Sequence, residues 1–392
     1  MSATELPTEW DAIVIGAGPA GALAARQLAL RGRRTLLLDK KRFPRPKVCG
    51  ACINARAVSA LAAAGLADVL TGIECLPLDE LNIVAEGRQA SIQLPQGVAV
   101  GRAEFDQALA NSAVEAGATF CDGVTAKVGS LSGDDCRKVG LSSIDGAQAE
   151  LLARVVIAAD GLQHASLHDD ASFASEVAPD SLIGLGATVP AAGYELPAGI
   201  VRMVVGPRGY VGLVRLAGER LNMAAAVSAA DLRRAGDPAA LVAELLRSAG
   251  VAVSSATASA EWHGTGALTR TTQRVADQRL FVLGDATGYV EPFTGEGIAW
   301  ALCSALLAAP LADACATGRR TAHDVQRRWE ALHRDEVRRR QAWCRRIAWV
   351  LRTAWRRRLA LAATWAMPWL ARRVVGQISQ RFDLRDMRLH ER

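Results

Sequence analysis

The 392-residue sequence predicts an α/β fold in which a parallel-stranded domain is split by an inserted antiparallel β-sheet and followed by a helical C-terminal region. Three observations predict it. Short apolar runs alternate with helix-like segments over the first forty residues or so. Residues 176 to 229 alternate apolar runs with Gly and Pro turns. From about Asp324 the chain turns helical in pattern and rich in Arg and Trp. Half the residues are hydrophobic, more than one ordinary core accommodates, so two or three packed units are expected.

The first element is the run Asp11, Ala12, Ile13, Val14 and Ile15, which reads as a buried parallel strand. It ends in Gly16-Ala17-Gly18-Pro19-Ala20-Gly21, a GxGxxG turn. There the first glycine permits the bend, the second lets backbone approach a pyrophosphate, and the third lets helix and strand meet closely. The helix from Leu23 to Leu30 then points its free amide groups at the phosphates, and Gly32 ends it. A second strand, Thr35 to Leu38, finishes at Asp39, whose carboxylate can accept both ribose hydroxyls and would repel a 2′-phosphate. Strand, glycines, helix, strand and acid in register form a Rossmann-like site for FAD or NAD rather than NADP.

Two later strand ends choose FAD. Leu280 to Leu283 runs into Gly284 and Asp285, where a carboxylate can accept hydrogen bonds from a polyol such as the ribityl chain, which NAD lacks. Pro292, Phe293, Gly295, Glu296 and Gly297 follow. The glycines let backbone press on a flat ring, and a helix from Ile298 aims its dipole at that ring, favouring anionic reduced flavin. The strand Val155 to Ala159 ends in Asp160 and Gly161 on the same expected sheet edge.

With these residues in view, the chain resembles the flavoprotein superfamily of aromatic hydroxylases (group A flavoprotein monooxygenases), geranylgeranyl reductases and flavin-dependent halogenases, over roughly residues 9 to 330. The resemblance implies that GDATGYVEPFTGEGI contacts ribityl and isoalloxazine and that VVIAADG serves the cofactor and nicotinamide region. It places Arg102, in VGRAEFDQAL, near the FAD pyrophosphate, and the backbone at Val124 near adenine. Phe43 to Gly50, which includes Cys49, is similar to the segment that runs along the flavin in the geranylgeranyl reductases. Those reductases also have a glycine and tyrosine like Gly209 and Tyr210, although the aromatic and proline residues that follow there are Gly212, Leu213, Val214 and Arg215 here. The WxWxIP motif of the halogenases is missing, which sets halogenation aside.

The implied activity is that of an FAD-dependent oxidoreductase, with NAD(P)H as reductant and a hydrophobic small molecule as substrate. Two reactions share the flavin-reduction step: transfer of hydride to a double bond of a lipid or secondary metabolite, and oxygen-dependent hydroxylation of an aromatic ring in pigment or polyketide tailoring. A non-catalytic, membrane-associated flavin protein is the third reading. Tyr210 and Phe293 are the candidate substrate contacts, Cys49 and Glu296 the candidate catalytic residues.

Other readings of single residues stay open. Cys49 and Cys52 form a CxxC without a second pair at ligand spacing, so no metal is expected; the pair reads as packed thiols or a redox couple beside the flavin. Glu291 and Glu296 bracket the flavin loop and read equally as proton donors or as loop caps. The six histidines form no triad or metal pattern, and neither GxSxG nor HExxH occurs.

These readings divide the chain into FAD-binding segments 9–75, 99–175 and 266–323, a hairpin 76–98 that joins a sheet domain 176–265, and a tail 324–392. Asp237 and Pro238 open a helix in the sheet domain as N-cap and first helical residue. Residues 321 to 392 hold 18 Arg and no Lys against seven acids, and six of the nine Trp, so the basic charge belongs to the tail. A helical wheel puts Arg338, Arg345, Arg352 and Arg356 on one face and Trp343, Ile347, Val350, Leu351 and Ala354 on the other, with Trp349 breaking the pattern. That pattern suits docking on a membrane surface or a solvated basic cap over the flavin domain. Nucleic acid is not an expected partner, since no recognised motif is present. The uncharged run Leu359 to Ala371 holds Pro368 and falls short of the ~20 residues that span a bilayer. With no leader pattern at the start, a cytoplasmic protein, peripherally membrane-associated at most, is expected.

Overall fold

The computed structural model describes residues 6–85, 87–143, 146–291, 293, 295–367, 369, 373, 376 and 380–382. Strand Glu9–Ile15 lies in the middle of a parallel sheet, between Thr35–Asp39, where Ile15 faces Leu38, and Gln148–Ala158, where Ile15 faces Ala158. Leu280–Val282 and Thr119–Asp122 extend the sheet on either side, also in parallel. The apolar run explains the placement. Ala12 and Val14 pack into one cluster with helices Pro19–Leu30, Arg102–Glu115 and Gly297–Ala316, while Ile13 and Ile15 pack into a second with Leu36, Leu38 and Val156. Both faces of the strand are covered, as a parallel strand requires. The second face is roofed by the antiparallel strands Val124–Ser132 and Cys136–Ser143.

Because these five strands run the same way, their carboxyl ends share one edge. Gly16, Asp39, Asp160 and Gly284 follow four of them directly or close them, which is where open α/β sheets bind ligands.

The inserted sheet runs in the order His263–Ala267, Ile183–Pro190, Arg220–Val227, Gly209–Leu216, Ile200–Gly206, Cys75–Ala85, Arg88–Val100 and Cys52–Ile53. The expected antiparallel sheet is therefore mixed in one place. Ile200–Gly206 and Cys75–Ala85 pair in parallel, Val201 opposite Leu81, because a hairpin from an earlier part of the chain completes the sheet at that strand. One face packs under helix Pro238–Ser248, where Leu241, Leu245 and Leu246 meet Val204, Val211 and Met223. Asp237 caps that helix, accepting from the amides of Ala239 and Ala240 at 3.1 and 3.0 Å. The other face carries Ile83, Ile92, Met203 and Tyr210 toward the parallel-sheet domain.

The tail does not stand off in solvent. Helix Ala322–His333 buries Trp329, whose Nε1 donates to the Val275 carbonyl at 3.0 Å. It continues through a wide turn at Arg334–Arg338 into helix Arg339–Arg352 and breaks at Thr353 before helix Ala354–Ala366. Two arginines of the basic face expected from the helical wheel are turned inward instead. Arg338 donates to the Thr272 carbonyl at 2.8 Å and Arg352 pairs with Glu291 and Asp180, so these two arginines fasten the helix to the flavin-loop domain. A wheel treats a helix as isolated and cannot see carboxylates and carbonyls supplied from elsewhere. The break at Thr353 also removes Arg356 from that helix's face. Helix Gly297–Ala316 is long and apolar enough to cross a membrane, but 94% of its apolar window is buried in the fold.

Candidate active site

The phosphate turn is shaped by what its glycines exclude. Gly16 has φ +98°, and a Cβ there would stand 2.4 Å from the Ala159 carbonyl oxygen; at Gly21 it would stand 1.8 Å from the Gly16 carbonyl oxygen. These two let strand, turn and helix close on each other. Gly18 differs, since a Cβ there would meet nothing nearer than an Arg45 nitrogen at 3.7 Å, so its missing side chain opens the turn toward the cavity. Asp39 closes the turn from the other side, its Oδ2 accepting from the Ala17 amide at 2.9 Å and its Oδ1 from the Lys41 amide at 2.9 Å.

A buried charge cluster follows. Arg102 grips Asp106 with two hydrogen bonds of 2.9 Å, and Arg45 reaches Asp39 at 3.3 Å and Asp106 at 3.4 Å. Burial pulls the Lys47 ammonium down and pushes the Asp285 carboxyl up, while the two, close to each other, offset part of both shifts. Cations and carboxylates here interleave rather than form one sign, which suits a dianionic pyrophosphate beside polyol hydroxyls.

These residues and the inserted sheet enclose one cavity of about 650 Å³. One half is lined by Gly16, Gly18, Asp39, Arg102, Asp160 and Asp285. The other is walled by Leu81, Ile83, Ile92, Met203, Tyr210 and Phe293. Among the described lining residues this second half carries no charged side chain until Arg346, which helix Arg339–Arg352 contributes together with Trp343, Ile347 and Val350. Tyr210 and Phe293 meet edge to face at 5.3 Å.

The cavity fits FAD by more than its glycines. Arg45 Nε and Asp160 Oδ1 are buried side-chain atoms without a partner among the described residues, and both residues line the cavity. Buried polar groups in native folds are nearly always paired, so a polar ligand is the natural partner.

The structure brings together Gly16, Gly18, Ala20, Asp39, Cys49, Gly50, Arg102, Asp160, Gly161, Gly284, Asp285, Tyr210, Phe293, Gly295, Gly297 and Ile298 on one wall system. Three expected residues stand apart from it. Gly21 packs behind the turn against Gly16. Val124 opens its strand within the cluster beneath the parallel sheet, buried away from the cavity. Glu296 lies behind the wall, where Asn54 Nδ2 donates to its Oε1 at 2.6 Å and its Oε2 has no partner among the described residues; burial pushes its carboxyl up to about 7. Pro292 lies outside the described residues. Cys49 and Cys52 are free thiols; desolvation pushes the Cys52 thiol up to about 12, so it stays unreactive near neutral pH. Among the described residues no cluster of His, Cys, Asp or Glu could hold a metal ion.

Arg45 and Lys47 were placed only as part of the segment Phe43 to Gly50, without roles of their own; Asp106 and Asn54 escaped the sequence reading, as did the cavity-lining role of the tail residues Trp343, Arg346, Ile347, Val350, Ala360 and Ala363. A signal existed for the last group. Ile347, Val350 and Trp343 share one helical face, for which the pattern allowed a membrane surface or a cap over the flavin domain, and that face lines the cavity.

A family model described as FAD binding domain matches residues 9–325. Menaquinone reductase of Mycobacterium tuberculosis is 28% identical over 368 residues, covering 84% of this chain and 81% of the relative. A digeranylgeranylglycerophospholipid reductase of Methanoculleus marisnigri is 26% identical, covering 79% of this chain and 78% of its own length. Among solved structures, the flavin-dependent brominase Bmp2 superposes with a TM-score of 0.80 at 16% identity, covering 95% of this chain and 94% of its own. PqsL of Pseudomonas aeruginosa, in complex with 2-aminobenzoylacetate, gives 0.71 at 18% identity, covering 89% and 98%. At these identities the solved structures show a shared fold.

Proposed function

The chain belongs to the FAD binding domain family and is an FAD-dependent oxidoreductase, and from that premise we propose that it uses NAD(P)H to reduce a double bond in an apolar, isoprenoid-like molecule. The observation that carries the reading is the uncharged second half of the cavity, walled by Leu81, Ile83, Ile92, Met203 and Phe293. A ligand buried there is apolar, because a charged or strongly polar one would lose its water without compensation. The names of the two reductase relatives support a reductive step on a lipid-like acceptor.

When bound, FAD would supply the redox chemistry, hydride transfer between a nicotinamide and the substrate. The chain's own residues bind, orient and protonate. Gly18, Arg45 and Arg102 would hold the phosphate end, Asp39 the ribose, and Asp160 and Asp285 the hydroxyl-bearing middle, all six residues lining the cavity. Helix Gly297–Ala316 begins at the cavity wall, with Gly297 and Ile298 in the lining, and its N-terminal end would favour negative charge on a ring bound there. Reduction of an alkene needs a proton as well as a hydride. Tyr210 is a hydroxyl on the apolar wall; burial pushes its phenol well above the usual range, so it stays protonated and able to donate.

Anaerobic incubation of the holoprotein with NADH or NADPH and a panel of isoprenoid quinones and polyprenyl alkenes, read by product mass, tests the proposal. Addition of hydride and proton raises the mass by about 2 units without oxygen. Hydroxylation is the second reading, favoured by Gly212, Leu213, Val214 and Arg215 standing where the reductases carry aromatic and proline residues. A product heavier by about 16 units, formed only with oxygen, would replace reduction by it. NAD(P)H oxidation unaffected by every compound would favour a non-catalytic flavin protein.

A further inference from the structure

The outer surface of the last two helices is unlike the rest of the molecule. Among the described residues, the large hydrophobic side chains left exposed are Leu30, Val114 and Val177, scattered singly, and six in the tail: Trp343, Trp349, Trp355, Leu359, Met367 and Trp369. The four tryptophans are between 50% and 60% exposed. Isolated exposed aliphatic residues are ordinary; four exposed indoles within 27 residues are not.

Each cluster of rings has an arginine on it. The Arg346 guanidinium lies 4.9 Å from the Trp343 ring, and Arg356 lies 3.5 Å from Trp349 and 5.2 Å from Trp355. Residues 339 to 366 carry eight Arg and no acid. Arg352 and Arg357 are drawn into the fold and Arg340 and Arg356 are half-buried, leaving Arg339, Arg345, Arg346 and Arg358 exposed on the same helices. The same helices frame the cavity at Trp343, Arg346, Ile347, Val350, Ala360 and Ala363. Trp343 and Arg346 belong both to this aromatic and basic surface and to the cavity lining, so the surface reaches the cavity wall.

We propose that this surface docks on an anionic phospholipid bilayer, with the cavity opening against the lipid. Charge decides the occupant. Indole rings settle at the level of lipid headgroups, and arginines beside them meet the negative surface potential of an anionic leaflet. Helix Ala354–Ala366, at 13 residues, is too short to span and lies along the interface. The orientation rests on the reading that the substrate is apolar. Such a molecule dissolves in the bilayer, and each methylene it exposes to water opposes its transfer, so a cavity that opens onto lipid admits it without an aqueous step. The docking itself depends only on the surface and holds for either reaction.

Holoprotein is mixed with sucrose-loaded vesicles of phosphatidylcholine alone or with phosphatidylglycerol, sedimented, and compared with a Trp349→Ser, Trp355→Ser, Trp369→Ser variant. None of these three residues lines the cavity, so FAD content serves as the folding control. Expected are sedimentation with phosphatidylglycerol vesicles, weakening as salt is raised, at least about tenfold weaker binding by the variant at wild-type FAD content, and quenching of wild-type tryptophan emission by brominated lipid. The quenching needs no variant and stands if the triple variant fails to fold. Holoprotein that stays in the supernatant, emission untouched by brominated lipid, or a wild-type dimer that the variant converts to monomer in light scattering would overturn the proposal. If vesicles bind but no apolar compound is turned over, the functional reading fails and the docking surface stands.

Discussion

Gly18→Ala separates a residue needed for the fold from one needed for the ligand. Gly18 has φ −72° and ψ −177°, a conformation alanine adopts freely, and its added methyl would lie 3.7 Å from the nearest atom, a nitrogen at the end of the flexible Arg45 side chain. The protein without flavin should therefore keep its stability or gain up to about 0.5 kcal/mol from a less flexible unfolded chain. The methyl nonetheless enters the space where backbone meets the pyrophosphate, and inserting a methyl into a filled site costs about 1–3 kcal/mol. FAD should bind roughly tenfold to a hundredfold more weakly, since about 1.4 kcal/mol is a factor of ten. Gly21→Ala is the contrast. Its methyl would fall 1.8 Å from the Gly16 carbonyl oxygen and 3.3 Å from Ala159 Cβ, forcing helix Pro19–Leu30 off its strand. A loss on the order of 3 kcal/mol is expected with no ligand present. Thermal melts of the flavin-free proteins and fluorescence titration with FAD measure both. A Gly18→Ala protein that melts like Gly21→Ala, or that binds FAD like wild type, would refute the placement of the pyrophosphate.

The remaining predictions concern buried polar groups. Burial pushes the Glu296 carboxyl up to about 7, above its ordinary value of 4.5, so its contribution is complete below the unfolded value and lost as pH rises through about 7. Glu296→Gln, which keeps an acceptor for Asn54, should remove a fall on the order of 3 kcal/mol between about pH 5 and about pH 8, seen as a flatter melting profile. Arg352→Met leaves Glu291, whose side chain is 2% exposed, without the cation at 3.1 Å, and should destabilise by about 3–5 kcal/mol. Burial alone pushes Glu291 up to about 7, so that loss should shrink below about pH 6, where the carboxyl takes up a proton; a pH-independent loss would contradict it. Tyr210→Phe removes a hydroxyl that has no hydrogen-bond partner among the described residues, so stability should hold or rise. If that hydroxyl delivers the proton, the rate of substrate reduction should fall about tenfold or more while flavin reduction by NAD(P)H is unchanged.

The flavin half of the site was legible because its constraints are local. The register from Asp11 to Asp39 states where a strand stops, where backbone must come close, and where a carboxylate stands, all within one βαβ unit. Asp160 and Asp285 were legible for the same reason, each at the end of an apolar strand. What joins distant segments was not. The charge cluster needs Arg45 on a loop and Asp106 on a helix to meet, and no spacing in the sequence announces it. Val124 was named through resemblance for its backbone; its side chain packs in the core beneath the sheet. The tail is the clearest case. Its periodicity gave a helix with an aromatic face, but Glu291, Asp180 and Thr272, which decide which side turns inward, come from three other parts of the chain. The parallel junction at Ile200–Gly206 likewise depends on which edge the early hairpin reaches.

The central claim is that flavin and apolar substrate share one cavity, the ring at the boundary between its charged and uncharged halves. Titrating purified holoprotein with an isoprenoid quinone while recording the flavin absorption band tests this most directly. A saturable change in the band, with one FAD per chain and weakened by Met203→Trp on the apolar wall, is the predicted result. Protein that stays colourless when offered FAD, or a bound flavin whose spectrum ignores every apolar ligand, would contradict it.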